Sequence, residues 1–249
     1  MLSETKKYLA SLADRYEVSS FCKEDPSQFL YWYSKNKVCD VECAAFIAAM
    51  LSFGSRTQFI PKIKSILELA DKENGCISEW ILSGSKNFQT GQKKFYRFYS
   101  YDDMHTFFGE ISSILKKEKS LGEFFRKKIE LDKKYENSLH EAIYEAFPES
   151  KIVPKGKNSA NKRIFMFLRW MVRQNSPVDL GIWDWYPQKN LLIPLDVHVM
   201  QESVKLGLIS EKATASFKTV KFLTEQLKEI WPEDPCRGDF ALFGLGIES

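Results

Sequence analysis

Apolar residues recur at a spacing of three to four through most of this chain, the period of helices that bury one face. The pattern predicts a helix over 3–16 and a second opened by Pro26, carrying Phe29, Leu30 and Tyr33. A third spans 41–53 and is N-capped by Asp40, with Cys43, Phe46, Ile47, Met50 and Leu51 along it. Its apolar residues cover most of the surface, which places it at the centre of a core. Gly54-Ser55-Arg56-Thr57 breaks the pattern, and 58–71 resumes it. Further helices are predicted over 76–83, 102–117, 121–129, 138–146, 159–174, 197–206, 210–216 and 217–230. A last one starts near Asp234-Pro235 and carries Phe240, Leu242 and Phe243. No strand pair, repeat or low-complexity linker stands out. The expected fold class is all-α.

The main irregular stretch, 175–194, is rich in Pro, Trp and Asn. A loop this long inside a helical domain is either functional or an ordered insertion. Its Trp183, Trp185 and Tyr186 either wall a binding pocket or pack the loop onto the core. A second aromatic stretch, Lys93-Lys94-Phe95-Tyr96-Arg97-Phe98-Tyr99, suits backbone contact and stacking with a nucleic acid, or is a packing strip with solvated lysines.

A length of 249 residues suffices for one large domain or two small lobes sharing a core. With 44% hydrophobic and 28% charged residues the chain is an ordinary globular protein. The net charge of +3 says little about partners, but its placement does. Residues 151–173 hold Lys151, Lys155, Lys157, Lys162, Arg163, Arg169 and Arg173 and no acidic residue. Such a run is either a patch for a phosphate-rich partner or a solvated helix face. The five cysteines are scattered without a CxxC, which points to a reducing cytoplasm and away from disulfides or an iron–sulfur cluster. His105, His140 and His198 have no metal-ligand spacing, so no metal and no cofactor is expected. Without a long apolar run or an apolar leader, the expectation is a cytoplasmic protein with no membrane partner.

The candidate chemistry lies in Ile193-Pro194-Leu195-Asp196-Val197-His198-Val199, where a carboxylate follows an apolar, Pro-containing segment and precedes a helix. Asp196 is an N-cap, a functional carboxylate, or both. Upstream, Asn158-Ser159-Ala160-Asn161-Lys162-Arg163 is a basic helix start. Helical spacing puts Lys162, Met166, Arg169 and Arg173 on one face, with Ile164, Leu168, Met171 and Val172 toward the core.

This arrangement resembles the helix-hairpin-helix DNA glycosylase superfamily, which includes endonuclease III and the 8-oxoguanine glycosylases. Pro194–Val199 with Lys205-Leu206-Gly207-Leu208 is similar to the block that holds that family's catalytic Asp. The segment 46–55 is similar to the helix end that wedges a residue into DNA, and Asp239-Phe240-Ala241-Leu242-Phe243-Gly244 stands at the place of its terminal helix. The sequence around 159–173 resembles an uncharacterised bacterial group of domain-of-unknown-function proteins in or near that superfamily. The lysine-to-aspartate spacing is closer to the archaeal 8-oxoguanine enzymes than to endonuclease III. There are departures. The hairpin would be Val153–Ala160 with Gly156 as its one glycine, Gly54 or Ser55 replaces the wedge glutamine, and cluster cysteines are absent.

The resemblance implies a single two-lobed, all-α glycosylase-like domain over 1–249, with a cleft between the lobes and a degenerate helix-hairpin-helix motif. It implies a monomer that acts on double-stranded DNA and excises a flipped damaged purine such as 8-oxoguanine, with or without lyase activity. Asp196 would stabilise positive charge on the sugar, and Lys162, with Lys157 as alternative, would be the amine nucleophile, crowded by Arg163 and Arg169. Lys155, Gly156, Lys157, Asn158, Arg163, Arg169, Arg173, Ser55 and Arg56 would contact DNA; Trp183, Trp185 and His198 would line the base pocket. The alternatives are a glycosylase-fold DNA-binding protein without catalysis and an all-α scaffold that binds protein.

Overall fold

The helical period is realised as eleven α-helices in the computed structural model, which describes residues 1–248, and a two-stranded sheet accompanies them. The chain divides into two units. Met1–Lys23 with Lys155–Ser249 form the terminal unit, and Glu24–Pro154 form the middle unit. Helix α1 (Ser3–Tyr16) belongs to the terminal unit. The middle unit follows with α2 (Val38–Leu51), α3 (Arg56–Asn74), α4 (Ile77–Leu82), β1 (Lys94–Tyr96), β2 (Tyr99–Ser100), α5 (Tyr101–Glu118), α6 (Leu121–Leu131) and α7 (Leu139–Glu145). The terminal unit resumes with α8 (Lys162–Val172), α9 (Val197–Lys205), α10 (Phe217–Lys228) and α11 (Arg237–Glu248). Among the described residues no helix is long and apolar enough to cross a membrane.

In the middle unit, α2 is buried from Asp40 through Leu51, as its all-round apolar surface predicts. Ala44, Ala45, Ala48 and Ala49 keep it thin enough for neighbours to close on every side. Asp40 does not cap its own helix. It lies within the first turn of α2, and its Oδ1 accepts from the Ser78 amide at the start of α4, at 3.0 Å. Glu42 does the same for α6, accepting from the Leu121 and Gly122 amides at 2.8 and 3.1 Å. The leading N–H groups of a helix lack intrahelical partners and carry its positive pole, so a buried carboxylate is well placed there. The two acidic residues of the most apolar helix thus set where two other helices begin.

Three local expectations change. Pro26 opens a 3-10 turn, Pro26–Tyr31, capped by Asp25, in place of an α-helix. The stretch 94–100, expected to hold no strand, forms the β1–β2 hairpin. Its two-residue turn uses Arg97 at φ 49°, where glycine or asparagine is the usual signal, so no turn signature marked it. Residues 210–216 do not form a helix. Ala213 N closes a turn on Ser210 O at 2.9 Å, Ser216 bridges to Ser159, the Phe217 amide donates to the Asn158 carbonyl at 2.9 Å, and Ser216 Oγ caps α10, so the helix starts only at Phe217.

In the terminal unit α1 and α9 both pack on α11. Gly244 lies directly beneath the Tyr16 ring of α1, and a Cβ on Gly246 would sit 2.8 Å from the His198 Cβ of α9. Glycine is needed at both positions for close approach.

Glu42→Gln should test the role of α2 as an anchor. The amide turns one acceptor into a donor facing a helix N-terminus, so the unfolding free energy in urea should fall by about 1–3 kcal/mol with an unchanged m-value. An unchanged midpoint would show that α6 does not depend on this carboxylate.

Candidate active site

The first of the two catalytic candidates sits where a turn feeds into α8. Residues 148–161 contain no α-helix. Instead Ser159 N bonds to Gly156 O at 3.0 Å and Asn161 Nδ2 bonds to the same carbonyl at 3.0 Å. Asn161 takes a left-handed conformation, φ 45°, and α8 starts at Lys162 rather than at residue 159. A Cβ on Gly156 would meet Ser159 Cβ at 2.6 Å, so the one glycine of the expected hairpin is the one the turn requires. Lys155, Gly156, Lys157 and Asn158 are exposed on this turn, and Arg163 is half-buried at the head of α8.

Asp196 occupies the N-cap of α9, and its Oδ1 accepts from the Val199 amide at 2.9 Å. Its other oxygen, Oδ2, lies 3.1 Å from Lys162 Nζ. The cap and the charge partner are therefore one residue with its two oxygens divided between the tasks. The Asp196 side chain is 12% exposed and that of Lys162 36%, so the pair is open to a ligand without being fully hydrated.

Behind the pair lies a buried ion network. Arg169 is 3% exposed and Arg173 2%. Arg169 Nε meets Asp179 at 3.2 Å, and its Nη1 bonds to Asp239 in the first turn of α11. Arg173 meets Asp179 at 3.0 Å, Asp234 at 2.8 Å and Glu17 at 2.6 Å. Both guanidinium groups also lie over the Phe240 ring. Burial disfavours ionisation of Glu17, but its bonds and attraction to Arg173 hold the carboxyl below its usual range. Asp239 is pushed up to about 7 by burial, against the pull of Arg169; the Asp196 charge raises it further and Lys162 lowers it. The network and the Lys162–Asp196 pair are thus electrically coupled through Asp239.

These positions revise the expected DNA contacts. Arg169 and Arg173 do not share an open face with Lys162, because nearly all of α8 is buried and both turn inward to carboxylates. Arg169 therefore does not serve to crowd Lys162. Lys151 pairs with Asp103 at 2.9 Å. The run 151–173 is free of acids in sequence but not in space. In the middle unit, Ser55 stands at the N-cap position of α3 and bonds Thr57 Oγ1 at 2.7 Å, and Arg56 pairs with Asp25 at 3.4 Å. Of the pocket candidates, Trp183 is buried edge-on to Phe167, and Trp185 stacks on it at 5.3 Å. These two rings follow the packing alternative. His198 is exposed on α9 and meets Phe243 edge-on.

Asp179 stood out in no motif and Asp239 only as the first residue of the terminal-helix segment, yet a signal for such partners was present. Two arginines one turn apart within Ile-Phe-Met-Phe-Leu-Arg-Trp-Met-Val-Arg, apolar on every side, must be buried, and buried guanidinium groups require carboxylates. Among the described residues no group of three or more His, Cys, Asp or Glu is arranged to hold a metal ion.

The raised Asp239 carboxyl has a measurable consequence. An acid whose folded value exceeds its unfolded one takes up its proton first in the folded state. Its contribution to stability is greatest in acid and is lost as pH rises to about 7. In Asp239→Asn the part of the stability–pH slope between about pH 4 and 7 that belongs to this group should vanish. Parallel wild-type and variant curves across that window would refute the assignment.

A search of curated proteins and of solved structures finds no match to this chain. The model of one family, described as "Protein of unknown function (DUF2400)", matches residues 25–248, a span that includes nearly all of the middle unit, the Gly156–Ser159 turn, Lys162, Asp196 and the Arg169–Asp239 pair. On a match of that extent, the chain belongs to the DUF2400 family.

Proposed function

We propose that this protein is a DNA base-excision glycosylase with associated lyase chemistry, acting on an unstacked damaged purine. The observation that carries the reading is the 3.1 Å approach of Lys162 Nζ to Asp196 Oδ2, each at the start of its own helix. On this reading the two units are the lobes of a glycosylase-like fold and the Gly156–Ser159 turn is its degenerate hairpin. The choice of 8-oxoguanine as first candidate rests on the family resemblance alone.

The chemistry follows from the pair. An ammonium is inert as a nucleophile, so Lys162 first gives up its proton to solvent, which leaves the Asp196 carboxylate charged beside it. The freed amine then attacks the sugar C1′. The glycosidic C–N bond breaks, and its electron pair leaves with the base. Positive charge developing on the sugar during that cleavage is stabilised by the carboxylate charge, more strongly in a site that excludes water. Opening of the sugar ring in the resulting aminal gives a protonated Schiff base, which permits strand cleavage by elimination. The target base must leave the helical stack to reach such groups.

One observation favours a second reading, a glycosylase-fold DNA-binding protein without catalysis. Arg169, expected to crowd the amine and so favour its neutral form, is committed to Asp179 and Asp239.

Two variants separate the roles on a panel of lesion duplexes. Asp196→Asn keeps the cap but removes the charge, so base release should be lost while DNA binding persists. Lys162→Gln removes the amine, so borohydride trapping and strand cleavage should be lost while base release is partly retained. No release from any lesion, by a wild type that binds the duplexes, would move the reading to the non-catalytic alternative.

Phosphate binding is assigned to the turn ahead of α8. Lys155→Glu with Lys157→Glu should weaken duplex binding and lower the salt slope by about 2, at roughly 0.9 for each phosphate no longer neutralised. Arg173→Glu should instead unfold the terminal unit, because it places a carboxylate among Glu17, Asp179 and Asp234. An unchanged salt slope in the double variant would exclude the turn from the interface.

A further inference from the structure

The β1–β2 hairpin of the middle unit presents chemistry that the Lys162–Asp196 site does not use. At its tip Phe98 is 60% exposed, although it belongs to a cluster of aromatic rings. It is braced from below by Phe53 at 5.3 Å and by Tyr99, edge-on, at 4.7 Å. A ring supported beneath and open above is a stacking surface already fixed in place, with little side-chain entropy left to lose. Around it, Lys93, Lys94 and Arg97 are exposed, and the run 92–99 holds no acidic residue.

The cations are held to the same tip. The Arg97 guanidinium lies over the Phe53 ring at 5.8 Å, and Lys94 Nζ donates to the Phe98 carbonyl at 2.9 Å. An ammonium has three donors, so that bond leaves two for a ligand. Gly54 gives the Arg97 head group its place, since a Cβ there would sit 2.6 Å from Nη1. Asp102, at the hairpin base, is engaged by the Gly91 amide and by Gln92 Nε2, at 2.6 and 2.8 Å. Arg97 also sits in the left-handed region at a turn position that glycine or asparagine would occupy at less cost. A supported, exposed ring among cations complements a polyanion that also offers flat apolar faces, which is a nucleic acid.

We propose that this hairpin is a nucleic-acid-binding element, in which Phe98 stacks on an unpaired base while Arg97, Lys94 and Lys93 hold the adjoining phosphates. It rests on the nucleic-acid partner of the reading above, but not on the glycosylase chemistry.

The test is binding of the full chain to a fluorescent single-stranded oligonucleotide, and to an abasic strand of equal length that keeps the phosphates and lacks the bases. Phe98→Ala should weaken binding to the base-bearing strand about five- to hundredfold, the range for loss of one stacked base, and leave the abasic strand unaffected. Phe98→Leu keeps the apolar bulk without the π-face and should show the same selective loss, which separates stacking from misfolding. Arg97→Gly relieves the left-handed backbone but removes the cation, so it should weaken both strands. Removing Lys93 and Lys94 together should lower the salt slope by about 1.4. Equal affinity of Phe98→Ala and wild type for the base-bearing strand overturns the proposal, as does a wild type that binds neither strand. Base release from lesion duplexes is measured alongside on the same wild-type protein. Phe98-dependent binding without base release would therefore sink the glycosylase reading and leave the hairpin standing. Base release with Phe98-independent binding would do the reverse.

Discussion

Two guanidinium groups on one buried helix organise the terminal unit. Arg169 and Arg173 sit one turn apart at the end of α8, and the carboxylates that neutralise them come from four places: Glu17 after α1, Asp179 in the long loop, Asp234 before α11 and Asp239 within it. Removing charges from water is expensive, and a buried network is weak evidence of net stability. Breaking one partner, however, strands an uncompensated charge, at a cost of about 3–5 kcal/mol. The network therefore acts by excluding alternatives. Any slippage of α8 against α1 or α11 leaves a guanidinium without its carboxylate.

The candidate site inherits its geometry from that constraint. Lys162 is at the head of α8 and Asp239 is in the first turn of α11, so the pairing of Arg169 with Asp239 fixes one helix end relative to the other. Asp196 reaches the same place through α9, which packs on α11 across Gly246. A pair at 3.1 Å requires positions correct to a fraction of an ångström, and that demands rigid helices rather than loops. Coupling of Asp239 to both members of the pair means that the network is part of the site's electrostatics as well as its scaffold.

The middle unit solves a similar problem with the opposite charge. Asp40 and Glu42 are the acidic residues of a helix buried from Asp40 through Leu51, and each accepts from the backbone at the start of another helix. In both units, buried charge has been matched to a fixed partner, ion to ion in one and ion to helix pole in the other.

Much of the fold could be read from periodicity. The bounds of α1 match the prediction, the central burial of α2 follows from its all-round apolar surface, and Asp196 as a helix cap follows from its place before an amphipathic run. These are local properties, set by the 3.6-residue repeat and by the needs of helix ends. The hairpin at Arg97 was hidden because its turn lacks the residue that normally marks one. What only the tertiary structure decided is which charges meet. The run 151–173 shows seven cations in sequence, yet Lys151, Lys162, Arg169 and Arg173 meet carboxylates supplied from elsewhere in the chain. Periodicity tells which side of a helix is buried, but a Coulomb interaction depends on distance through space, and the chain separation of Arg169 from Asp239 carries no record of it.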